Sequence, residues 1–442
     1  MKRLFDAYAY GAGPRENCWW DASHAVNPRA AVVQSARTDV AIIGAGFTGL
    51  SAALHLARAG ISVTVLDAER IGWGASGRNG GFCCLGGGML DDTALDRRFG
   101  RAGRVDFRRT ELAAIQLVEG IIAEHSIKVD RHSIGETSLA HRLKDMAVLQ
   151  AHAAAVDENY GVAHQIHSKV DLTRLGMAGP FHGGLTIEAG FGLNPRKYLF
   201  GLAQAAVLAG ARIFEDSAVT ALTSRVDGWE LRANGHKLRA DRVILATNGY
   251  SSDDLPAWLS DRYLPSQSNV MVTRPLDEDE LAAAGWTTDQ MAYDTRNLLH
   301  YFRLTPDRRF LFGMRGGIIT GAKAEERATA RVRADFDAMF PAWRAVDTAY
   351  SWSGLVCLAR DRLPFVGPVP ERAGLWAGLC YHGNGVAMGS YSGALLARLV
   401  QGKMPDLPYT EALRIPLRRF GLGRLRRLAI PLAYAAYMIA DR

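Results

Sequence analysis

The chain has 442 residues, 48% hydrophobic and 22% charged, with a formal net charge of +7. That apolar content supplies a sizeable core and excludes a disordered chain, and at roughly 150 residues per domain it points to two or three domains. No run reaches the ~18–20 apolar residues that cross a bilayer, and Met1 to Pro14 lacks the apolar stretch of a secretion signal, so a cytoplasmic location is expected.

Only eight of the 52 basic residues are lysine, and the arginines are scattered apart from one cluster at the C-terminus, so no nucleic-acid partner is expected. Five cysteines (Cys18, Cys83, Cys84, Cys357, Cys380) form an odd set without C-x-x-C spacing. Neither a disulfide framework nor a metal site is expected from them.

In chain order, residues 1–37 read as an irregular arm. The apolar run 39–43 reads as a buried strand that breaks at a glycine cluster, followed by a helix over about 48–59 and a second strand over 62–66. The proline-free, Ala- and Leu-rich stretches 103–125 and 140–160 read as helices. From about 185 to 350 strand signals alternate with turns, and Asp227-Gly228 and Asn234-Gly235 are each placed to close a hairpin. A helix over 196–209, stopped by Gly210, leads into a strand over 212–215. Late in the chain, 375–379 reads as a strand before a final helix at about 386–401. This order predicts an α/β fold: a Rossmann-like dinucleotide-binding domain interrupted by a mixed-sheet α+β domain.

The most informative motif is Gly44-Ala45-Gly46-Phe47-Thr48-Gly49, set between a strand and a helix. Gly44 permits the tight turn, Gly46 lets a pyrophosphate approach the backbone, and Gly49 lets helix and strand pack closely. The helix start presents N–H groups and a positive dipole end to the phosphates. Asp67 ends the second strand, where its carboxylate accepts hydrogen bonds from ribose hydroxyls. A second glycine-dense loop, Gly74-Ala75-Ser76-Gly77-Arg78-Asn79-Gly80-Gly81, follows soon after. A nicotinamide-binding unit has no need of it, whereas its backbone N–H groups suit a flat polar ring.

These motifs, with Ala246-Thr247-Asn248-Gly249-Tyr250, the segment from Tyr301 to Gly313, Trp352-Ser353-Gly354 and the segment from Tyr381 to Val386, resemble the FAD-dependent amine and amino-acid oxidoreductases of the D-amino-acid oxidase type. Within that family the resemblance runs to the branch that acts on gamma-glutamylputrescine, and it covers residues 38 to about 402 and the tail. It implies FAD as cofactor, with Gly44, Gly46, Thr48 and Gly49 at the pyrophosphate and Asp67 at the adenosine ribose. Ala75, Ser76, Arg78, Asn79 and Gly80 would line the flavin end. Val219 would meet the adenine, and Thr247 and Gly249 would pass close to the cofactor. Gly383, Asn384, Gly385 and Val386 would set a helix N-terminus against the pyrimidine edge of the flavin, where reduction places negative charge.

The resemblance also implies oxidation of a C–N bond in a small-molecule amine or N-substituted amino acid. Tyr301, Arg303, Tyr381 and His382 are the expected pocket residues, with Arg303 binding a distal carboxylate. The electron acceptor is oxygen or a carrier such as a quinone; an accessory flavin-binding protein without turnover is the alternative. Asn384 and Ala387 stand where sarcosine-oxidizing relatives carry His and a carboxylate-binding Lys, and Leu311 stands where they carry an oxygen-activating Lys. Non-covalent FAD is expected; Cys357 lies near the place where some relatives attach flavin covalently, and a buried structural cysteine is the plainer reading.

The expected division is an arm over 1–37, a cofactor domain over 38–95, 190–260 and 350–405, a substrate domain over 96–189 and 261–349, and a basic tail over 406–442. That tail, with Arg414, Arg418, Arg419, Arg424, Arg426 and Arg427 before an apolar stretch, is expected to pack on the enzyme rather than on a membrane surface.

Overall fold

The computed structural model describes residues 1–316 and 320–441. Two large sheets organise them. The first runs Phe365–Pro368, Leu375–Leu379, His236–Leu245, Ala36–Ile43, Val63–Leu66 and Arg212–Phe214. Its centre is parallel, with Ile42 opposite both Ile244 and Val65. Val40, Ala41, Ile42, Val65, Val243 and Ile244 are wholly buried, as expected of strands covered on both faces. The helices Phe47–Arg58 and Ala387–Val400 pack together on one face, with Pro195–Leu208 beside the first. The expected elements here match to within a few residues.

Both hairpins form on the edge of this sheet. Asn234 and Gly235 have positive φ of 50° and 79° and make the two-residue turn between Ala233 and His236, the geometry that favours Asn-Gly. At the other hairpin Arg225 faces Gly228, so Val226 and Asp227 are the turn residues and Gly228 opens the next strand. The expected Asp227-Gly228 turn is displaced by one position.

The second sheet runs Thr348–Leu358, Leu264–Pro275, Arg309–Arg315, His300–Leu304, Met291–Asp294, Glu136–Leu139, Gly183–Ile187 and His164–Ser168. Alternation gives it two unlike faces. Phe302, Phe310 and Phe312 point one way, into a core with Trp286, Phe336, Phe340 and Trp343. Tyr293, Tyr301 and Gly313 share a cross-strand row on the other face, and Arg315 lies opposite Ser268 one row along. We propose that the two sheets mark the two domains. The strand Thr348–Leu358, expected on the cofactor side, pairs along its length with Leu264–Pro275 in the second sheet.

Three helical or terminal expectations change. The helix expected over 103–125 is Asp92–Glu124: Asp91 caps it by accepting the Ala94 N–H at 2.8 Å, and the helix kinks at Gly100, φ 70°. Polar residues around that kink hide the first turns from periodicity. The helix expected from 140 starts at Asp145, because Ala140 donates its N–H to Gly183 and extends the preceding strand's pairing. The arm is not irregular throughout. Short helices Ala7–Tyr10 and Trp19–Ser23 seat Tyr10 and Trp20 in the core, and Trp20 donates its ring N–H to the Asn79 carbonyl at 2.8 Å.

The basic tail folds back onto the molecule. Arg426 is 1% exposed and binds Asp253 at 2.6 Å, Asp261 at 2.8 Å and the Tyr263 carbonyl at 3.0 Å. The terminal helix Ala429–Ala440 is held by Tyr434, whose hydroxyl meets Ser266 at 2.6 Å, and Asp441 just beyond it accepts the Asn297 and Leu298 N–H groups. Among the described residues no helix is long and apolar enough to cross a membrane.

Candidate active site

One cavity of about 360 Å³ runs from the carboxyl ends of the first sheet's parallel strands to the polar face of the second. The loop after the strand Ala36–Ile43 forms its first wall. Gly44 sits at φ 109° beneath the Ala246 carbonyl, and a Cβ on Gly49 would penetrate the Gly44 carbonyl oxygen, so both positions require glycine. Asp67 accepts the Ala45 N–H at 2.6 Å and the Glu69 N–H at 3.0 Å, so it braces the loop as well as facing the cavity. Burial lifts its pKa to about 6, a cost offset when hydroxyl donors reach the carboxylate.

The second glycine loop faces the first. Ser76 accepts the Phe47 N–H at 3.0 Å, and Asn79 spends its amide on the Ala75 and Ser76 carbonyls and the Gly81 N–H. Arg78 donates to the Trp73 and Ser353 carbonyls and lies by the rings of Trp73 and Tyr250, while its Nη2 is buried without a protein partner. Across the cavity, Asn384 donates to the Leu85 carbonyl at 2.5 Å, and Val386 caps the helix Ala387–Val400. Of the expected cofactor residues, all but Gly49 and Gly249 line this cavity; Gly49 packs under the turn, and Gly249 lies against the Leu355 carbonyl. Two helix N-termini, a buried acceptor at a strand end and an orphaned guanidinium donor make a set that fits a dinucleotide bearing a polar ring.

The four expected pocket residues divide. Tyr301 lines the cavity, edge-on to Phe82 and bonded to Ser268 at 3.0 Å. Tyr381 also borders it, but its hydroxyl meets Thr48 at 2.9 Å, so it ties the two helix starts together. His382 is pinned between backbone groups: Nδ1 donates to the Gly87 carbonyl at 3.0 Å and Nε2 accepts the Ala359 N–H at 3.1 Å. Burial lowers its pKa to about 4, which keeps the ring neutral in that arrangement. Arg303 is fully buried outside the cavity. Its guanidinium meets His132 at 2.6 Å and the Leu193 carbonyl at 2.9 Å, beneath Gly192 and Gly81, the latter just before the small two-stranded sheet of Phe82–Cys83 and Phe191–Gly192, which shuts it off from the cavity.

Residues that sequence reasoning passed over complete the far end: Arg315, Glu136, Tyr293, Leu299, Ser268 and Phe82. Arg315 donates to the His382 carbonyl at 3.2 Å and has no carboxylate partner among the described residues. Its place in a strand, at one-residue alternation from the core position Met314, was the available signal; which strands lay beside it was not readable. Leu311 packs with Trp20, Val270 and Trp352, so that position is apolar. Cys357 borders the cavity with its sulfur 3.5 Å from that of Cys380, both as free thiols.

Comparison with known proteins accords with this geometry. Residues 39–399 match the family model described as FAD dependent oxidoreductase. The chain is 31% identical over 428 residues to a probable oxidoreductase OrdL of Rhizobium meliloti, covering 96% of this chain and 97% of the relative. It is 32% identical over 406 residues to the gamma-glutamylputrescine oxidoreductase of Escherichia coli, covering 88% and 92%. Among solved structures, a glycine oxidase from Geobacillus kaustophilus superposes with a TM-score of 0.70 at 22% identity, covering 87% of this chain and all of that one.

Proposed function

The chain belongs to the FAD dependent oxidoreductase family, and from that premise we propose that it oxidises the C–N bond of a small amine that carries a carboxylate. The observation that carries this reading is Arg315, a guanidinium without an acidic partner among the described residues, facing the cavity that the two glycine loops enter. A cation desolvated without a counterion is costly, and a substrate carboxylate supplies one bidentately. Gamma-glutamylputrescine, which the Escherichia coli relative is named for, has such a group and is the first candidate.

FAD bound there would supply the oxidant that removes a hydride from the carbon next to the amine nitrogen, leaving an imine for water to hydrolyse. Gly44, Gly46, Thr48 and Asp67 would hold its nucleotide end, with Arg78 and the Gly383-Asn384-Gly385 turn at the ring. The chain's own part is placement. Arg315 fixes the substrate's anionic end, Tyr301 and Phe82 wall the alkyl chain, and the apolar surroundings favour the unprotonated amine. The thiol of Cys357, turned toward Cys380, supports non-covalent binding of the cofactor. Leu311 supports an electron carrier as the acceptor over oxygen.

The test is the absorbance of the purified yellow protein near 450 nm, where oxidised flavin absorbs, followed without oxygen as amines are added. Gamma-glutamylputrescine should bleach it, and sarcosine should not. A flavin that no amine bleaches would overturn the proposed chemistry.

A further inference from the structure

Resting on that reading of the cavity, we infer that Glu136 is the receptor for a cationic nitrogen of the substrate, so that the cavity selects molecules with an anionic and a cationic group well apart. Glu136 is 5% exposed and lines the cavity, with Tyr293 donating its hydroxyl to Oε1 at 3.2 Å. Apart from Asp67, which accepts the Ala45 and Glu69 N–H groups at the nucleotide end, the other deeply buried acids are each paired: Glu111 with Arg108, Asp145 with Arg142, Glu215 with Arg70, Glu230 with Arg225, Asp253 with Arg426 and Asp294 with Arg296. At the substrate end Glu136 has no cation among the described residues. A buried carboxylate is stable only with a partner, so this one waits for a ligand or stays protonated.

Its position sets the spacing. Glu136 and Arg315 share the polar face of the second sheet but lie three strands apart, with Tyr293 and Tyr301 on the strands between. Glu136 also lies four residues along the strands from the row of Arg315, so at ~4.8 Å between neighbouring strands and ~3.3 Å per residue the two backbones are about 20 Å apart, a span that the two side chains shorten. A lone α-amino acid, whose two charges share one carbon, is too short to meet both; a chain of several carbons between carboxylate and ammonium reaches them, with the tyrosines along its flank.

The groups facing Glu136 support a neutral resting state. Besides Tyr293 they are the Cys84 thiol and, behind it, Glu111 and Tyr160, with Arg108 already committed to Glu111. Burial without a cation raises the Glu136 pKa to about 8. Arrival of an ammonium favours the carboxylate, so binding at pH 7 releases a proton from Glu136.

The experiment uses the flavin-loaded enzyme without oxygen and three probes: 5-aminopentanoate, pentanoate and pentylamine. Flavin difference spectra report binding, and calorimetry in two buffers of different ionisation enthalpy reports proton release. We expect 5-aminopentanoate to bind at least about tenfold tighter than either singly charged probe, the worth of one desolvated charge contact. It should release close to one proton, and pentanoate none. Glu136→Gln should abolish the proton release and the preference for the amino group while leaving pentanoate binding unchanged. Glu136→Asp, which keeps the acid, should retain the release with weaker binding. Equal preference in Glu136→Gln, or no proton release in the native enzyme, would overturn the inference. Bleaching by amines with no dependence on Glu136 would leave the proposed function standing, whereas absent bleaching with intact proton-linked binding would sink that function alone.

Discussion

Arg303 and Arg315 stand on adjacent strands with their side chains on the same sheet face, yet only Arg315 lines the cavity. Their substitutions should therefore behave differently. Arg315→Met should raise the apparent KM for carboxylated amines by about ten- to a hundredfold, the ~1.5–3 kcal/mol of a charge-assisted contact, and spare amines without a carboxylate. Arg303→Met should cost ~1–3 kcal/mol of stability by leaving His132 and the Leu193 carbonyl unpartnered, with KM unchanged; denaturant midpoints and steady-state kinetics separate the two. Asp67→Ala removes the brace on Ala45 and Glu69 together with the ribose acceptor. FAD should then be lost on dialysis, and full retention would remove Asp67 from that role.

At the scale of elements, close packing leaves clear tests. In Gly49→Ala the new methyl meets the Gly44 carbonyl, a backbone atom that cannot turn aside, so a loss of at least ~1–3 kcal/mol is expected from thermal unfolding of the apoprotein. A pH test belongs to the strand His300–Leu304. His300 meets Asp294 at 2.8 Å and Asp335 at 3.2 Å, and although burial opposes the charge these carboxylates raise its pKa above the ordinary 6.5. Its contribution to stability is thus complete below about pH 6.5 and is lost as pH climbs through the raised value. The melting temperatures of the native protein and His300→Gln should differ most in mildly acidic buffer and draw together as pH rises; a constant gap would assign the effect to packing. These elements were partly legible. Asn234-Gly235 carries its turn in two residues, whereas the strand Glu136–Leu139 is four residues long and mixed in polarity, so its pairing is set by neighbours far along the chain.

Across the whole molecule, the two chain ends act as fasteners. The arm brings Trp20 to the second glycine loop, and the tail brings Arg426 to Asp253 and Asp261. Arg426→Ala strands two carboxylates in a buried setting and should cost ~3–5 kcal/mol. Limited proteolysis should then cut the tail first, and an unchanged denaturation curve would mean that the tail contributes no stability.

What the sequence determined by itself was local and nucleotide-facing: a strand, a glycine turn, a helix and an acidic strand end lie within about thirty consecutive residues of a single βαβ unit, so spacing alone carries their geometry. The second glycine loop and the late helix start were legible for the same reason. The substrate end was decided only by tertiary structure. Arg315, Glu136, Tyr293 and Tyr301 come from four different strands, and a strand's periodicity tells which residues share its face but not which strands adjoin it or what covers them. That is why Arg303 was expected in the pocket and lies sealed beneath two glycines, while Arg315 and Glu136, unmarked by any motif, face the cavity.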